Sequence, residues 1–399
     1  MTRIDPVVSR ILPQIMELRH TLHAHPELCH EEHATSRTVA DRLNRLPGLV
    51  VQTGVGGTTG IKAVLGGDKC GPAVLLRADM DALPVQEVAD LPYRSQVAGK
   101  MHACGHDGHT ACLVGVATVL AEIADELPGP VVFIFQPAEE TGGGGQILVD
   151  AGILDSPKVG AAFALHGWPK LQVGQIGICR GQAMAATGGF HIVVKAKGAH
   201  GAAPHESPDP IVISARIIDA LQQIASRMIS PLVPVVVTVG TIHGGTALNI
   251  IPSRCEMSGT VRALSDDVRA EVLQHVERIA KGIAAAFGAD AEVEIREAYP
   301  ALYNDPAACD FVAAVAREVI GPDAVVEHGP TMGGEDFAYY LQKAPGALIR
   351  LGVDAPNRPS AMLHQAHYDF NDDALPVGMK LMANLAVRWL RNRTPGSPL

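Results

Sequence analysis

Val131-Val132-Phe133-Ile134-Phe135-Gln136-Pro137-Ala138-Glu139-Glu140-Thr141 opens with five unbroken apolar residues and soon reaches two adjacent carboxylates, with four glycines following at 142–145. A short run without polar alternation predicts a strand buried on both faces, the kind found in parallel sheets. Open α/β sheets place their chemistry beyond the carboxyl ends of such strands. Two further stretches repeat the pattern: Ala73–Leu76 runs into Arg77-Ala78-Asp79-Met80-Asp81, and 160–165 runs into His166. Between them in sequence lies His102-Ala103-Cys104-Gly105-His106-Asp107-Gly108-His109. Potential metal ligands therefore converge on one sheet edge.

Working outward from that edge, the chain alternates strands and helices. Residues 6–46 read as helical with a break at His25-Pro26, because proline disfavours helix in the residue before it. Strands are expected at 60–65 and 73–76, and a small-residue helix at 110–123. The predicted class is α/β, a mixed-sheet catalytic domain with helices on both faces.

The middle of the chain changes character. It reads as a strand at 190–197, a helix at 209–228, strands at 235–242 and 254–262, a helix capped by Ser265 and running to Phe287, and a strand at 291–297. The order β-α-β-β-α-β is the split ferredoxin-like unit. Residues 181–296 are accordingly expected as a separate domain inserted into a discontinuous one formed by 1–180 and 297–399. Beyond it the first pattern resumes, with helices near 306–319 and from Leu375, and with His364 in a loop.

At 399 residues, 47% of them apolar, the chain can bury more than one core. A formal charge of −10 argues against nucleic acid as a partner. Seven scattered cysteines form no disulfide framework. The first residues lack an apolar leader core, and no apolar run approaches membrane-spanning length, so a cytoplasmic protein without membrane contact is expected.

A hydrolytic metal site holds its ion with side chains and leaves a position for water. Cys104 and His106 suit a loop wrapped around an ion, and His166 and His364 bring imidazoles from two other segments. Adjacent Glu139 and Glu140 cannot point the same way from extended backbone, so one can bind metal while the other serves as a base toward water. Five ligands exceed one tetrahedral site, and two divalent ions sharing a water are expected. His20, His23, His30 and His33 read as structural, whereas His102 and His109 are candidates to support the ligands.

Several segments carry a family resemblance: residues 19–28, 77–84, 101–109, 135–140, 198–205, 247–253 and 333–337. In order along the chain they resemble the metal-dependent amidohydrolases that include hippurate hydrolases, N-acyl-amino-acid aminoacylases and plant auxin-conjugate hydrolases, within a wider clan of co-catalytic-metal aminoacylases and carboxypeptidases. The resemblance implies that Cys104, His106, Glu140, His166 and His364 hold the metals and that Glu139 is the general base. It implies that Asp79 and Asp81 orient the site from behind. It makes the inserted domain a lid that also mediates dimerisation, with His200 reaching a neighbouring subunit's active site to stabilise the oxyanion and Asn249 near the substrate. The expected substrate is a small N-acyl amino acid and the expected assembly a homodimer, with a tetramer as the alternative.

Zinc suits a thiolate on softness grounds, and manganese, cobalt and nickel also occur among such enzymes. The competing readings are a dipeptidase or carboxypeptidase of the same clan and a non-catalytic dimeric binding protein. One departure is visible: Thr187-Gly188-Gly189 stands where related sequences often carry a polar or acidic residue, at the expected lid hinge.

Overall fold

The computed structural model describes residues 3–356 and 361–392, and the chain divides into two compact units. The first is assembled from three stretches, up to Gly181, from Tyr303 to Gly329 and from Asp336 onward; the second holds Gln182–Leu302 with Pro330–Glu335.

An eight-stranded sheet organises the first unit. Its order is Leu49–Val55, Gly60–Leu65, Val131–Gln136, Ala73–Asp79, Val159–Gln172, Gly346–Asp354, Ile176–Ile178, Val325–Glu327. The middle four run parallel to one another, and the two strands from Leu49 to Leu65 are antiparallel additions on one side. Every residue of Ala73–Asp79, Val131–Gln136 and Gly346–Asp354 is buried, which is why these strands read as continuous apolar runs. Helices Ile4–Ala24, His106–Glu122 and Ala374–Arg391 contribute Leu18, Val116 and Leu385 to one core with Leu76, Phe133 and Phe163 of the sheet. The fold is thus α/β with a large mixed sheet, as expected.

The helix after the histidine cluster begins at His106, not at 110. Gly105 caps it with φ 90°, in the left-handed region that glycine enters without strain. A Cβ there would also lie 2.9 Å from the Tyr368 hydroxyl. Two short strands at one side of the sheet, Ile176–Ile178 and Val325–Glu327, are too brief to show a period and were not expected. Similarly, Val159–Gln172 continues past His166 instead of stopping there.

In the second unit a four-stranded antiparallel sheet runs Val235–Gly244, Arg254–Ala263, Ala186–Lys195, Asp290–Glu297. Numbered along the chain, that order is 2-3-1-4, the ferredoxin-like arrangement. Helices Pro210–Gln223 and Asp266–Ala286 supply Ile213, Ile217, Leu221, Val272 and Val276 to its core. Ser265 accepts a hydrogen bond from the Val268 amide, capping the second helix as its sequence position suggested. Thr187-Gly188-Gly189, expected at the lid hinge, lies within the Ala186–Lys195 strand, where the three residues pair with Thr260–Arg262. Among the described residues no helix is long and apolar enough to cross a membrane, and all seven cysteines are free.

Candidate metal centre

The carboxyl ends of the central strands of the first unit deliver the chemistry-bearing residues. Ala73–Asp79 ends on Asp79, whose register partner on Val131–Gln136 is Gln136. Immediately beyond, Ala138 adopts φ 56°, a left-handed turn that swings the next two residues out of the strand direction. Glu139 is buried and Glu140 nearly so. His364 takes φ 66° in its loop, and its amide donates to the Ala103 carbonyl at 2.7 Å, tying that loop to the cysteine segment.

The five residues expected as ligands meet. Cys104, His106 and His166 place one ligand atom each within 4.8 Å of one another, and so do Cys104, Glu140 and His364. The two trios overlap at the Cys104 thiol, and His106, Glu139 and Glu140 form a further trio. Cys104 Sγ lies 3.5 Å from His166 Nε2. One oxygen of Glu140 is 3.3 Å from His364 Nε2 and 3.9 Å from His106 Nε2.

The rings are already set for coordination. His106 Nδ1 lies 2.8 Å from the Asp81 carbonyl, and His166 Nδ1 lies 2.9 Å from the Gly167 carbonyl. A carbonyl only accepts, so in both rings Nδ1 carries the proton and Nε2 faces the cluster. His106 Nε2 is buried without a hydrogen-bond partner. A buried lone polar atom among a thiol, carboxylates and imidazoles fits a divalent cation.

Electrostatics point the same way. Burial opposes charge on His106, but Asp79, Asp81 and Glu140 outweigh it and hold its pKa up at about 10. Burial pushes the Cys104 thiol well above its ordinary value, and Glu140, Glu139 and Asp79 push it further. Burial, with His109 nearby, drives His166 down to about 3, leaving a neutral ring. Excess carboxylate among mostly buried groups calls for positive charge, which here is either protons or metal.

Asp79 and Asp81 stand behind the cluster. Asp81 Oδ1 is 3.2 Å from His106 Nδ1, and Oδ2 accepts from the Glu140 amide at 2.9 Å. Asp79 receives His109 Nδ1 at 2.7 Å and Arg77 Nη1 at 2.8 Å. His109 Nε2 in turn accepts from the Gly167 amide at 2.7 Å, so this ring fixes the peptide beside His166. His102 stays outside the cluster, with both ring nitrogens buried and unpartnered, and burial lowers its pKa to about 3.

Two buried networks were not foreseen. Arg19 Nε and His23 Nδ1 both contact Asp107 Oδ2 at 2.8 Å, and Asp369 also pairs with Arg19. These anchor the residue next to His106. Arg77 bridges Asp79, Gln136 and Asp336 at 2.8–2.9 Å, and Asp336 also accepts from the Gly145 amide at 2.7 Å. Arg77→Met removes the cation shared by two buried carboxylates, and a loss of about 3–5 kcal/mol is expected in chemical denaturation. An unchanged denaturation midpoint would contradict this account of the network.

In the second unit, His200 and Asn249 sit side by side. His200 pairs with Ile250 across a two-residue bridge, and the Gly201 amide donates to the Asn249 carbonyl at 2.7 Å. Both residues are exposed, and His200 lines an open cleft of about 620 Å³ with Ile250 and Arg254. The Ala202 amide donates to His200 Nδ1 at 3.0 Å, so Nε2 carries the proton and can donate.

Comparison with known proteins gives a consistent assignment. The model of peptidase family M20/M25/M40 matches residues 75–388. Thermostable carboxypeptidase 2 of Saccharolobus solfataricus is 40% identical, covering 96% of this chain and 97% of its own. N-acetylcysteine deacetylase of Bacillus subtilis is 38% identical, covering 94% and 96%. Among solved structures, the YXEP protein of Bacillus subtilis, a dinuclear metal binding peptidase from the M20 family, superposes with a TM-score of 0.83 at 35% identity, covering 96% of this chain and 100% of that one.

Proposed function

Because the chain belongs to peptidase family M20/M25/M40, we propose that this metal-dependent hydrolase cleaves the amide bond of N-acyl amino acids, releasing a carboxylic acid and a free amino acid. The observation that carries the reading is the overlap of two ligand trios at Cys104, with a second carboxylate, Glu139, beside them. Cys104, His106, Glu140, His166 and His364 would hold two divalent ions, zinc being the first choice for a site built around a thiolate. When bound, such ions polarise an acyl carbonyl and acidify water.

The remaining work falls to the chain's own groups. Glu139 takes a proton from the attacking water and returns it to the leaving nitrogen, since an amine departs only when protonated. Asp81 keeps His106 aligned and holds the Glu140 peptide, while Asp79 holds His109. Nearly complete burial of these groups limits bulk water around the reacting atoms.

The second unit is read as a lid that also carries a dimer contact. His200 then donates through Nε2 to the oxyanion in a neighbouring subunit's site, with Asn249 close to substrate. Loss of one oxyanion donor costs roughly 10²–10³-fold in kcat. His200→Ala is expected to show a fall of that order with the oligomer intact by light scattering. A kcat equal to the parent's would contradict the role. The cytoplasm is the compartment proposed with this reading, and the free state of the cysteines suits it.

The carboxypeptidase relative favours a second reading, in which the acyl group is itself a peptide. The leaving group is an amino acid in both. A panel of N-acetyl and N-benzoyl amino acids beside N-blocked dipeptides, run with defined metals, separates them. Preference for simple acyl groups supports the amidohydrolase reading, and preference for dipeptides replaces it. Inactivity on the whole panel would overturn both.

A further inference from the structure

Glu32 has no role in the chemistry described so far, yet its side chain is fully buried against the turn that presents Glu139. It lies at the start of helix His33–Leu43. One carboxylate oxygen accepts from the Ala138 amide at 2.9 Å and from the His30 amide at 3.0 Å, and the other accepts from the Thr59 hydroxyl at 2.6 Å. Three donors on a single buried carboxylate make a rigid post.

What that post holds is unusual backbone. Ala138 is an L-residue at φ 56°, a conformation that must be stabilised by its surroundings. Its amide has left the sheet ladder and finds Glu32, and its carbonyl accepts from the Gly144 amide at 3.1 Å. Two residues further on, the Glu140 amide is held by Asp81 Oδ2 at 2.9 Å. Glu139 therefore sits between two pinned peptides. The helix carrying Glu32 is itself fastened: Glu27 accepts from the Ala34 and Thr35 amides at 3.1 and 2.8 Å, and the Glu27 carbonyl accepts from the Ala82 amide at 2.8 Å.

We propose that Glu32 is a positioning residue for Glu139: by holding the Ala138 peptide in its left-handed turn, it fixes the direction in which the base points, while Asp81 separately keeps Glu140 on the metals. This rests on the reading of Glu139 as general base. Loss of Glu32 loosens the base and leaves the ligands in place. Catalytic rate is sensitive to such shifts, since misplacing a reacting group by about 1 Å can cost roughly 10²-fold.

The test compares Glu32→Gln, Glu32→Asp and Glu32→Ala in the metal-loaded enzyme. Gln retains an oxygen for the two amides, and its NH₂ can donate to Thr59 once that hydroxyl turns. Asp keeps the charge and loses the reach. For Asp and Ala, kcat is expected to fall about 10- to 100-fold with KM and bound metal per chain little changed, and Gln is expected to restore most of the rate. Glu32→Asp and Glu32→Gln keep the test open if Glu32→Ala does not fold. In a Glu139→Gln background, Glu32→Asp is expected to add little, because both act through one group.

Several results would overturn the proposal. Parent-like kcat in Glu32→Asp is one. Metal loss that parallels the fall in rate is another, since it would make Glu32 a support for Glu140. Gln as impaired as Ala, or a full additional loss in the Glu139→Gln background, would also end it. If Glu139→Gln alone keeps its activity, the base assignment fails instead, and that single variant shows it independently of Glu32.

Discussion

Glu139→Gln is expected to bind divalent ions like the parent and to turn over almost no substrate. Glu139 lies outside the trios of Cys104, His106 and His166 and of Cys104, Glu140 and His364, although it shares a further one with His106 and Glu140; as the base and not a ligand, its replacement should leave metal content measured by elemental analysis unchanged. Glutamine preserves the shape of a buried side chain and removes only its basicity. General acid–base catalysis contributes roughly 10²–10⁴-fold, and the same carboxylate here both deprotonates water and protonates the leaving amine. A loss at or above the top of that range is therefore expected in kcat, with little change in substrate affinity. A variant that loses metal and activity together would make Glu139 a ligand. One that keeps both would leave the site without its base.

Metal removal is the second large effect. With the ions gone, the pocket retains Asp79, Asp81, Glu139 and Glu140 around a thiol that burial, Glu140, Glu139 and Asp79 hold well above its usual range, and around His106, held up at about 10 by Asp79, Asp81 and Glu140 against its burial. Protons must then occupy positions that metal would fill. Binding a cation displaces them, so affinity rises with pH and falls as pH drops. Dialysis against a chelator should abolish activity, more readily at pH 6 than at pH 8, and zinc or manganese should restore it. The apo enzyme should also melt earlier, because a ligand at about 100 times its Kd stabilises by roughly 2.7 kcal/mol. Full activity after complete removal of divalent ions would contradict the reading.

Much of the candidate site was legible in the sequence because most of its residues sit at or just beyond strand ends. Asp79 ends one apolar run and Glu139 and Glu140 follow another, each a fully buried strand in the fold, and His166 lies on the neighbouring strand. His200 and Asn249 were picked out only through the family resemblance, since a two-residue bridge has no periodicity to read.

The supporting network was hidden for a physical reason. Arg19 and Asp107 lie 88 residues apart, and Glu32 and Ala138 lie 106 apart. A lone Arg on a helix or Glu at a helix start ordinarily faces solvent, so neither residue signals burial by itself. The early start of the helix at His106 was likewise obscured. Its first turn is His-Asp-Gly-His, poor helix formers held by Gly105 and by the Arg19 and Asp81 contacts. Thr187-Gly188-Gly189 was placed at a hinge only through the family resemblance; its pairing with Thr260–Arg262, with Gly188 and Gly189 also paired to Glu297 and Arg296, could not be read from two glycines.

The central claim is that two ions share the pocket formed by Cys104, His106, Glu140, His166 and His364, with Glu139 next to them and bound to neither. Anomalous diffraction from metal-loaded crystals, collected on both sides of the metal's absorption edge, tests it most directly. The account predicts two peaks, with Cys104 Sγ at about 2.3 Å and imidazole Nε2 atoms at about 2.0–2.1 Å if the metal is zinc. A pocket with no peak in crystals of active enzyme, or peaks ligated by other residues, would contradict it.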